Sequence, residues 1–272
     1  MRITAILCVR NELPYLRHVL PYLADEDIEA VIIDNGSTDG TAQAIRDGSL
    51  PNVIGVESFP YSGSFDLSRQ LELKWALAKT LTSDWVIHQD ADEILHAPDR
   101  WGGLRHHIET AESAGFNVLN FDELVMLPAD PSRDDVLRNN RNYYFFEPKP
   151  MRLMRAWRRA ARLGPGKSGG HTLEGALNVY PERMIMKHFI VRTQEHAYEK
   201  YLHRTFSSTD LEKGWHRNRL NFTIENLRIP ETGAHLHSLA SPLHVPEQRP
   251  APTRTHFWEW PEANPMAATA WC

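Results

Sequence analysis

Asp90-Ala91-Asp92 closes the short apolar run Asp84-Trp85-Val86-Ile87-His88-Gln89 and is followed by Glu93-Ile94-Leu95. In an extended chain, residues two apart point the same way, and a turn after the strand converges both carboxylates on one hard divalent cation. Acids this close repel at neutral pH unless a cation sits between them. The plain alternative is a solvated acidic turn or a helix cap. Two further strand ends carry chemistry. Asp34-Asn35-Gly36-Ser37-Thr38-Asp39-Gly40-Thr41 follows Ala30-Val31-Ile32-Ile33. Its composition marks a capping turn, with Ser37 or Thr38 as the cap, and it offers an acid and an amide suited to a base or a ribose. Arg10-Asn11-Glu12 follows Ile3–Val9. Arg10 suits a phosphate, or else a surface ion pair.

The elements that must position these residues follow from periodicity. Ile3–Val9, Ala30–Asp34, Val53–Val56, Asp84–His88 and Phe116–Phe121 read as short buried strands. Between them, Leu13, Leu16, Leu20 and Leu23 share one helical face behind Asn11 as cap, with Pro21 expected to kink or shorten that helix. Leu67, Leu71, Trp75 and Ala78 mark a second helix; Leu104, Ile108 and Ala111 mark another. Strands alternating with helices across short links predict right-handed crossovers and a mostly parallel sheet. Ligands on such sheets bind beyond the carboxyl ends of the strands. The second half is less regular. Residues 122–150 read as loop-rich and polar, Met151–Met154 and Met184–Ile190 as strands, Gly164–Gly170 as a loop, and Thr193–Thr205 as a helix capped by Thr193.

Composition bounds the class. Of 272 residues, 42% are hydrophobic and 24% charged, which excludes disordered and collagen-like chains. The net charge of −5 argues against a nucleic-acid partner. The two cysteines, Cys8 and Cys272, form no disulfide framework and fit a reducing compartment. No apolar stretch near the start is long enough for a leader or a span, so a cytoplasmic location is expected.

Taken together, Ile6–Glu12, Val31–Thr41 and Asp84–Leu95 resemble the landmarks of family 2 glycosyltransferases with a GT-A fold, in order, gaps and placement at strand ends. The Arg-Asn-Glu opening is similar to a bacterial subgroup, as are Gly169-Gly170-His171 and Lys187–Thr193. The resemblance covers residues 1–125 well and little beyond. It implies an α/β GT-A fold: a mostly parallel central sheet with helices on both faces and a loop-rich C-terminal acceptor part. It implies a nucleotide-diphosphate sugar donor and Mn²⁺ or Mg²⁺. Asp34 and Asn35 would contact base or ribose. Asp90 or Asp92 would hold ribose and metal, Asp92 being better placed for direct metal contact. Arg10, Asn11, Glu12 and Ser37, with Lys167, complete the candidate donor-binding set. Asn35 stands where many relatives carry an acid, and Arg10 where they often carry an aromatic, so the nucleotide is not specified.

Residues 1–125 are thus expected to form the nucleotide-sugar-binding half, 126–245 the acceptor-binding and catalytic half of the same domain, and 246–272 a Pro-rich tail. Inversion, which the family implies, needs a carboxylate base. Glu174, Glu123 and Asp122 qualify. His188, in an apolar run, is the first candidate for a third metal ligand and His171 the second; a hydrogen-bonded core histidine is the alternative. Arg152, Arg155, Arg158, Arg159, Arg162 and Lys167 form a basic run. It reads as a diphosphate clamp, as a peripheral membrane contact over Arg152–Lys167, or as a solvated face. Trp258, Trp260 and Trp271 could stack on sugars or pack on the main domain. No glycine-rich loop follows the first strand, which speaks against a nucleotidyltransferase or a dinucleotide-dependent oxidoreductase. The expectation is a metal-dependent glycosyltransferase acting on a glycan or lipid-linked acceptor of the cell surface. The alternative is a non-catalytic glycan- or nucleotide-binding module of the same fold.

Overall fold

Residues Ile3–Val9 are buried without exception and form β1 of the computed structural model, which describes residues 1–98 and 102–260. In chain order there follow α1 (Leu13–Asp25), β2 (Glu29–Asp34), α2 (Thr41–Arg46), β3 (Val53–Ser58), α3 (Leu67–Thr80), β4 (Trp85–Gln89), β5 (Glu93–His96) and α4 (Leu104–Ser113). Then come β6 (Val118–Leu127), α5 (Val136–Asn139), β7 (Asn142–Phe146), β8 (Met154–Arg158), β9 (Gly164–Pro165), β10 (Leu173–Glu174), β11 (Met184–His188), α6 (Gln194–Tyr201), α7 (Ser208–Glu212) and β12 (His237–Ser238). The chain divides into two compact units. The first holds Met1–Asp122 and Met151–Met186; the second holds Glu123–Pro150 and the chain from Lys187 on.

In the first unit β3, β2, β1 and β4 are parallel neighbours in that order, as the alternation of strands and helices predicts. β8 then runs antiparallel to β4 and to the start of β6. Register fixes the functional edge. Val9 pairs with Asp34 and Leu7 with Gln89, so the loops after β1, β2 and β4 leave the sheet side by side. The α1 helix continues through Pro21 to Asp25 rather than being shortened there. Pro21 and Arg17, whose carbonyl loses its partner, both lie on the exposed face, where water replaces the missing bond. Nor does Asn11 cap that helix. Glu12 is the N-cap, and Asn11 Oδ1 accepts from Thr38 N at 2.7 Å instead. Likewise α2 starts from Gly40, whose φ of 94° suits glycine, rather than from Ser37 or Thr38.

The stretch 122–150, expected to be loop-rich, contains the second half of β6, α5 and β7. β6 is buried along all ten residues although Asn120, Asp122 and Glu123 interrupt its apolar pattern. Each has a specific partner, so burial does not strand it. Asn120 Oδ1 accepts from Leu153 N at 3.0 Å; Asp122 meets Arg183 at 2.9 Å; Glu123 meets His188 at 2.6 Å. The strand expected at Met151–Met154 begins only at Met154, because Met151 is exposed with a φ of 55°. The glycine loop is largely a loop, its first two residues pairing with β10.

In the second unit Glu123–Leu127 pairs antiparallel with β7, and β12 lies on the other side of β7. Its core is aromatic: Tyr144, Phe146, Tyr201, Phe257, Trp258 and Trp260 pack with Val125, Leu127 and Ile190. The α6 helix is capped by Thr193, as expected, whose hydroxyl accepts from His196 N. Trp258 and Trp260 are therefore core residues, and the chain around Thr253 pairs with β7. Pro261, Pro265, Trp271 and Cys272 lie outside the described residues.

Candidate active site

The turn between β4 and β5 carries Asp90, Ala91 and Asp92, and Glu93 N donates to Asp90 O at 3.2 Å to close it. Asp90 is half-buried between two cations. Lys74 Nζ lies 2.9 Å from its Oδ1 and Arg155 3.6 Å from its Oδ2. Burial alone would raise its pKa, but Lys74, a hydrogen bond from His88 and Arg155 together hold it well below the usual carboxylate range. Lys74 also donates to Gln89 O at 3.0 Å and meets His88 Nε2 at 3.1 Å. Burial and the Lys74 charge push His88 down to about 3, so it is neutral at physiological pH. Beneath the turn, Glu93 is fully buried, bonded to Arg155, and its Oε2 accepts from Asp90 N at 3.1 Å. Asp92 is buried in the same turn.

The glycine loop of this unit packs onto the same strand. A Cβ on Gly170 would lie 2.9 Å from His88 Cε1 and 2.7 Å from Leu71 Cδ2, so this contact requires glycine. His171, next in the chain, is held well below the ordinary histidine range by burial and by Arg155 and Arg152. Lys167 is exposed on the turn before it, and Glu174 is exposed on β10.

After β1 and β2 the loops stitch to each other. Arg10 Nη1 donates to Asn35 O at 3.0 Å and to Gly36 O, and its guanidinium lies 3.5 Å from the Tyr61 ring centroid. Asn11 N donates to Ser37 Oγ at 3.0 Å. Asp34 accepts from Ser37 N, and Asn35 Nδ2 donates to the carbonyls of Phe59 and Pro60. Glu12 caps α1 through its carbonyl. These residues converge on one edge of the first unit and form a ready-made, well-tied rim.

In the second unit Glu123 is 3% exposed and its Oε1 lies 2.6 Å from His188 Nδ1, while His188 is 25% exposed. Asp122, in the first unit, is held by Arg183. The basic run is spent largely on internal partners. Arg155 serves Glu93, Arg158 meets Glu112 at 3.1 Å, and Arg159 Nε donates to Ser83 O at 2.7 Å.

Sequence reasoning missed Lys74, Tyr61, Glu93 and the turn role of Arg155. Lys74 carried a signal: it falls on the buried face of α3 with Leu71 and Ala78, and a lysine on an apolar stripe needs a carboxylate or carbonyl to meet it. Tyr61 carried none, since only folding brings it under Arg10.

The donor set of the turn suits a hard cation. Two carboxylates two residues apart, one of them already balanced by Lys74, match an ion that keeps waters and takes further oxygens from a substrate phosphate. Among the described residues no three His, Cys, Asp or Glu side chains gather as a closed protein cage.

Four parallel strands with an acidic turn at their carboxyl edge give the α/β architecture that the sequence led one to expect. The sequence model "Glycosyl transferase family 2" matches residues 4–150, and the chain belongs to that family. None of the curated proteins matches the chain significantly. Among solved structures, Staphylococcus aureus TarS 1–349 is 16% identical with a TM-score of 0.45, over 73% of this chain and 63% of that one. Mycobacterium tuberculosis glucosyl-3-phosphoglycerate synthase, in complex with Mn²⁺, UDP and glucosyl-3-phosphoglycerate, is 16% identical with a TM-score of 0.33, over 60% of each chain. The chain thus spans less than two thirds of either structure's length. No helix among the described residues is long and apolar enough to cross a membrane.

Proposed function

We propose that the protein transfers a sugar from a nucleotide-diphosphate donor to a glycan or lipid-linked acceptor, with a divalent cation and with inversion. The observation that carries this reading is the acidic turn of a family 2 chain, with Asp90 and Asp92 at the carboxyl edge of β4 and Lys74 and Arg155 set against it. As the sugar departs, charge grows on the diphosphate, and fixed cations beside it lower that cost. Asp92, with Asp90, would hold Mn²⁺ or Mg²⁺, which supplies a Lewis acid for the leaving phosphates. Lys74 keeps Asp90 ionised and in place, and Glu93 holds Arg155. The rim of Arg10, Asn11, Glu12, Asp34, Asn35 and Ser37 would take the nucleoside, with Lys167 reaching a phosphate.

Of the three candidate bases, Asp122 is committed to Arg183 and Glu174 stands exposed on a hairpin. We assign proton acceptance to Glu123 together with His188. The carboxylate at Nδ1 orients the ring and leaves Nε2 as the atom for a proton or a cation. The test is a thermal-shift panel of UDP-, GDP-, dTDP- and CMP-linked sugars with and without Mn²⁺. A ligand at about 100 times its Kd adds about 2.7 kcal/mol, a shift of several degrees. Stabilisation that needs both one nucleotide and the metal supports the reading. No shift with any of them, in folded protein, sinks it; binding without turnover leaves a non-catalytic module.

A further inference from the structure

We infer that the segment around residues 213–228 of the second unit is a docking surface for an anionic phospholipid bilayer. Its tip is held rigidly. Phe222 turns inward and packs on Tyr201 and Trp258, at 5.8 and 5.4 Å between ring centroids. Asn226 pins the turn: its Oδ1 accepts from Thr223 N at 2.8 Å and its Nδ2 donates to Asn221 O at 3.3 Å. Gln194 holds the far end through Leu227 O and Ile229 N. With Phe222 fixed inward, Leu220 and Ile224, two residues to either side, stand 58% and 57% exposed. These are the two most exposed large hydrophobic side chains of the described residues.

Their setting is cationic. Lys213, Arg217 and Arg228 are exposed and Arg219 is half-buried over the Tyr201 ring, against the single carboxylate Glu225 between residues 213 and 228. This contrasts with the chain as a whole, whose net charge is −5. The exposed Ile54 and Val56, in contrast, stand on β3 beside Glu57. Isolated exposed aliphatics are ordinary, but two on a pinned turn ringed by cations match a headgroup layer, with basic side chains at the phosphates and aliphatics in the acyl boundary. The complementary charge selects an anionic bilayer over an apolar protein partner. No helix of the segment need insert.

Vesicle flotation of the full chain tests this. Vesicles of phosphatidylcholine alone and with about a third phosphatidylglycerol are compared at low and high salt. The protein should float with the anionic vesicles only and be released by salt. Arg217→Gln should weaken partition about fivefold. Leu220→Ser with Ile224→Ser should weaken it at least about tenfold, with an unchanged circular dichroism spectrum. Absence of wild-type flotation with anionic vesicles at low salt overturns the inference. So does full retention by the double serine variant, which marks a site for soluble polyanions. Because nucleotide and metal are absent from the assay, its outcome is independent of the transferase reading.

Discussion

At the acidic turn after β4, Asp90 lies between Lys74 and Arg155, and Glu93 beneath it is bonded to the same arginine; in the second unit, Glu123 is buried against the imidazole of His188. Both arrangements bury carboxylates, but they balance them differently. Lysine and arginine stay charged through the physiological range, so the turn is a fixed electrostatic frame. An imidazole is the side chain that takes and gives a proton most readily near neutral pH. The first arrangement holds charge in place; under the proposed function the second would take the proton of the incoming hydroxyl.

The largest effect should come from the turn. Asp92→Asn keeps size and burial but removes the charge a cation needs. Turnover should fall about a thousandfold, and the Mn²⁺-dependent part of donor binding by calorimetry should vanish. Turnover equal to the parent's would remove Asp92 from the metal role. Next in size, Glu123→Gln and His188→Gln should each lower kcat by about a hundredfold or more while sparing donor affinity. The two losses should not multiply in the double variant, since the residues act as one unit. Should Glu174→Gln alone produce that split, the base sits on the hairpin and the contrast drawn above fails.

Lys74→Met sharpens the frame's side of the comparison. It leaves Asp90 with Arg155 and His88 and Gln89 O without this donor, and should cost about 1–3 kcal/mol in urea unfolding, discounted because Asp90 is 43% exposed. Lys74→Arg should recover part of it. The sign with pH follows from Asp90. Its folded pKa is depressed, so its stabilisation is present above the unfolded carboxylate value, about 4, and disappears as pH falls through the folded value. In Lys74→Met this acid-side loss should shrink.

The same contrast explains what was legible from sequence. The first unit is made of local patterns: apolar strands, helical stripes and polar turns at strand ends, each contained in one short window. Hence the strand ends, the parallel order and the acidic turn could be read directly. The second unit is made of distant partners. Glu123 looks like the end of a strand until His188 is known to meet it, and at the first unit's own margin Asn120 and Asp122 do so until Leu153 and Arg183 are placed. The parallel bridge between Phe146 of β7 and Thr253, and the packing of Trp258 and Trp260 on Tyr144, join segments more than a hundred residues apart. No spacing rule encodes these contacts. Lys74 lies between the cases, visible as an exception on a helix face although its partner was not.

Lys187 gives the smallest expected effect on activity and the opposite sign on stability. It adjoins His188 on β11 yet is fully buried, with Nζ donating to Pro242 O at 2.7 Å, and burial pushes its pKa down to about 7. Where Lys74 meets the carboxylate of Asp90, Lys187 Nζ meets a backbone carbonyl. The unfolded chain holds the proton up to about pH 10.4, while the folded chain releases it near 7. Between those values the unfolded state binds more protons, so stability rises with pH across that window and is level, at its lowest, below pH 7. Lys187→Met should therefore raise Tm by several degrees at pH 6–7, lose that advantage towards pH 10, and leave turnover within about twofold. A lower Tm at pH 7 would mean that the bond to Pro242 outweighs the buried charge, and that the second unit, like the first, depends on a fixed cation.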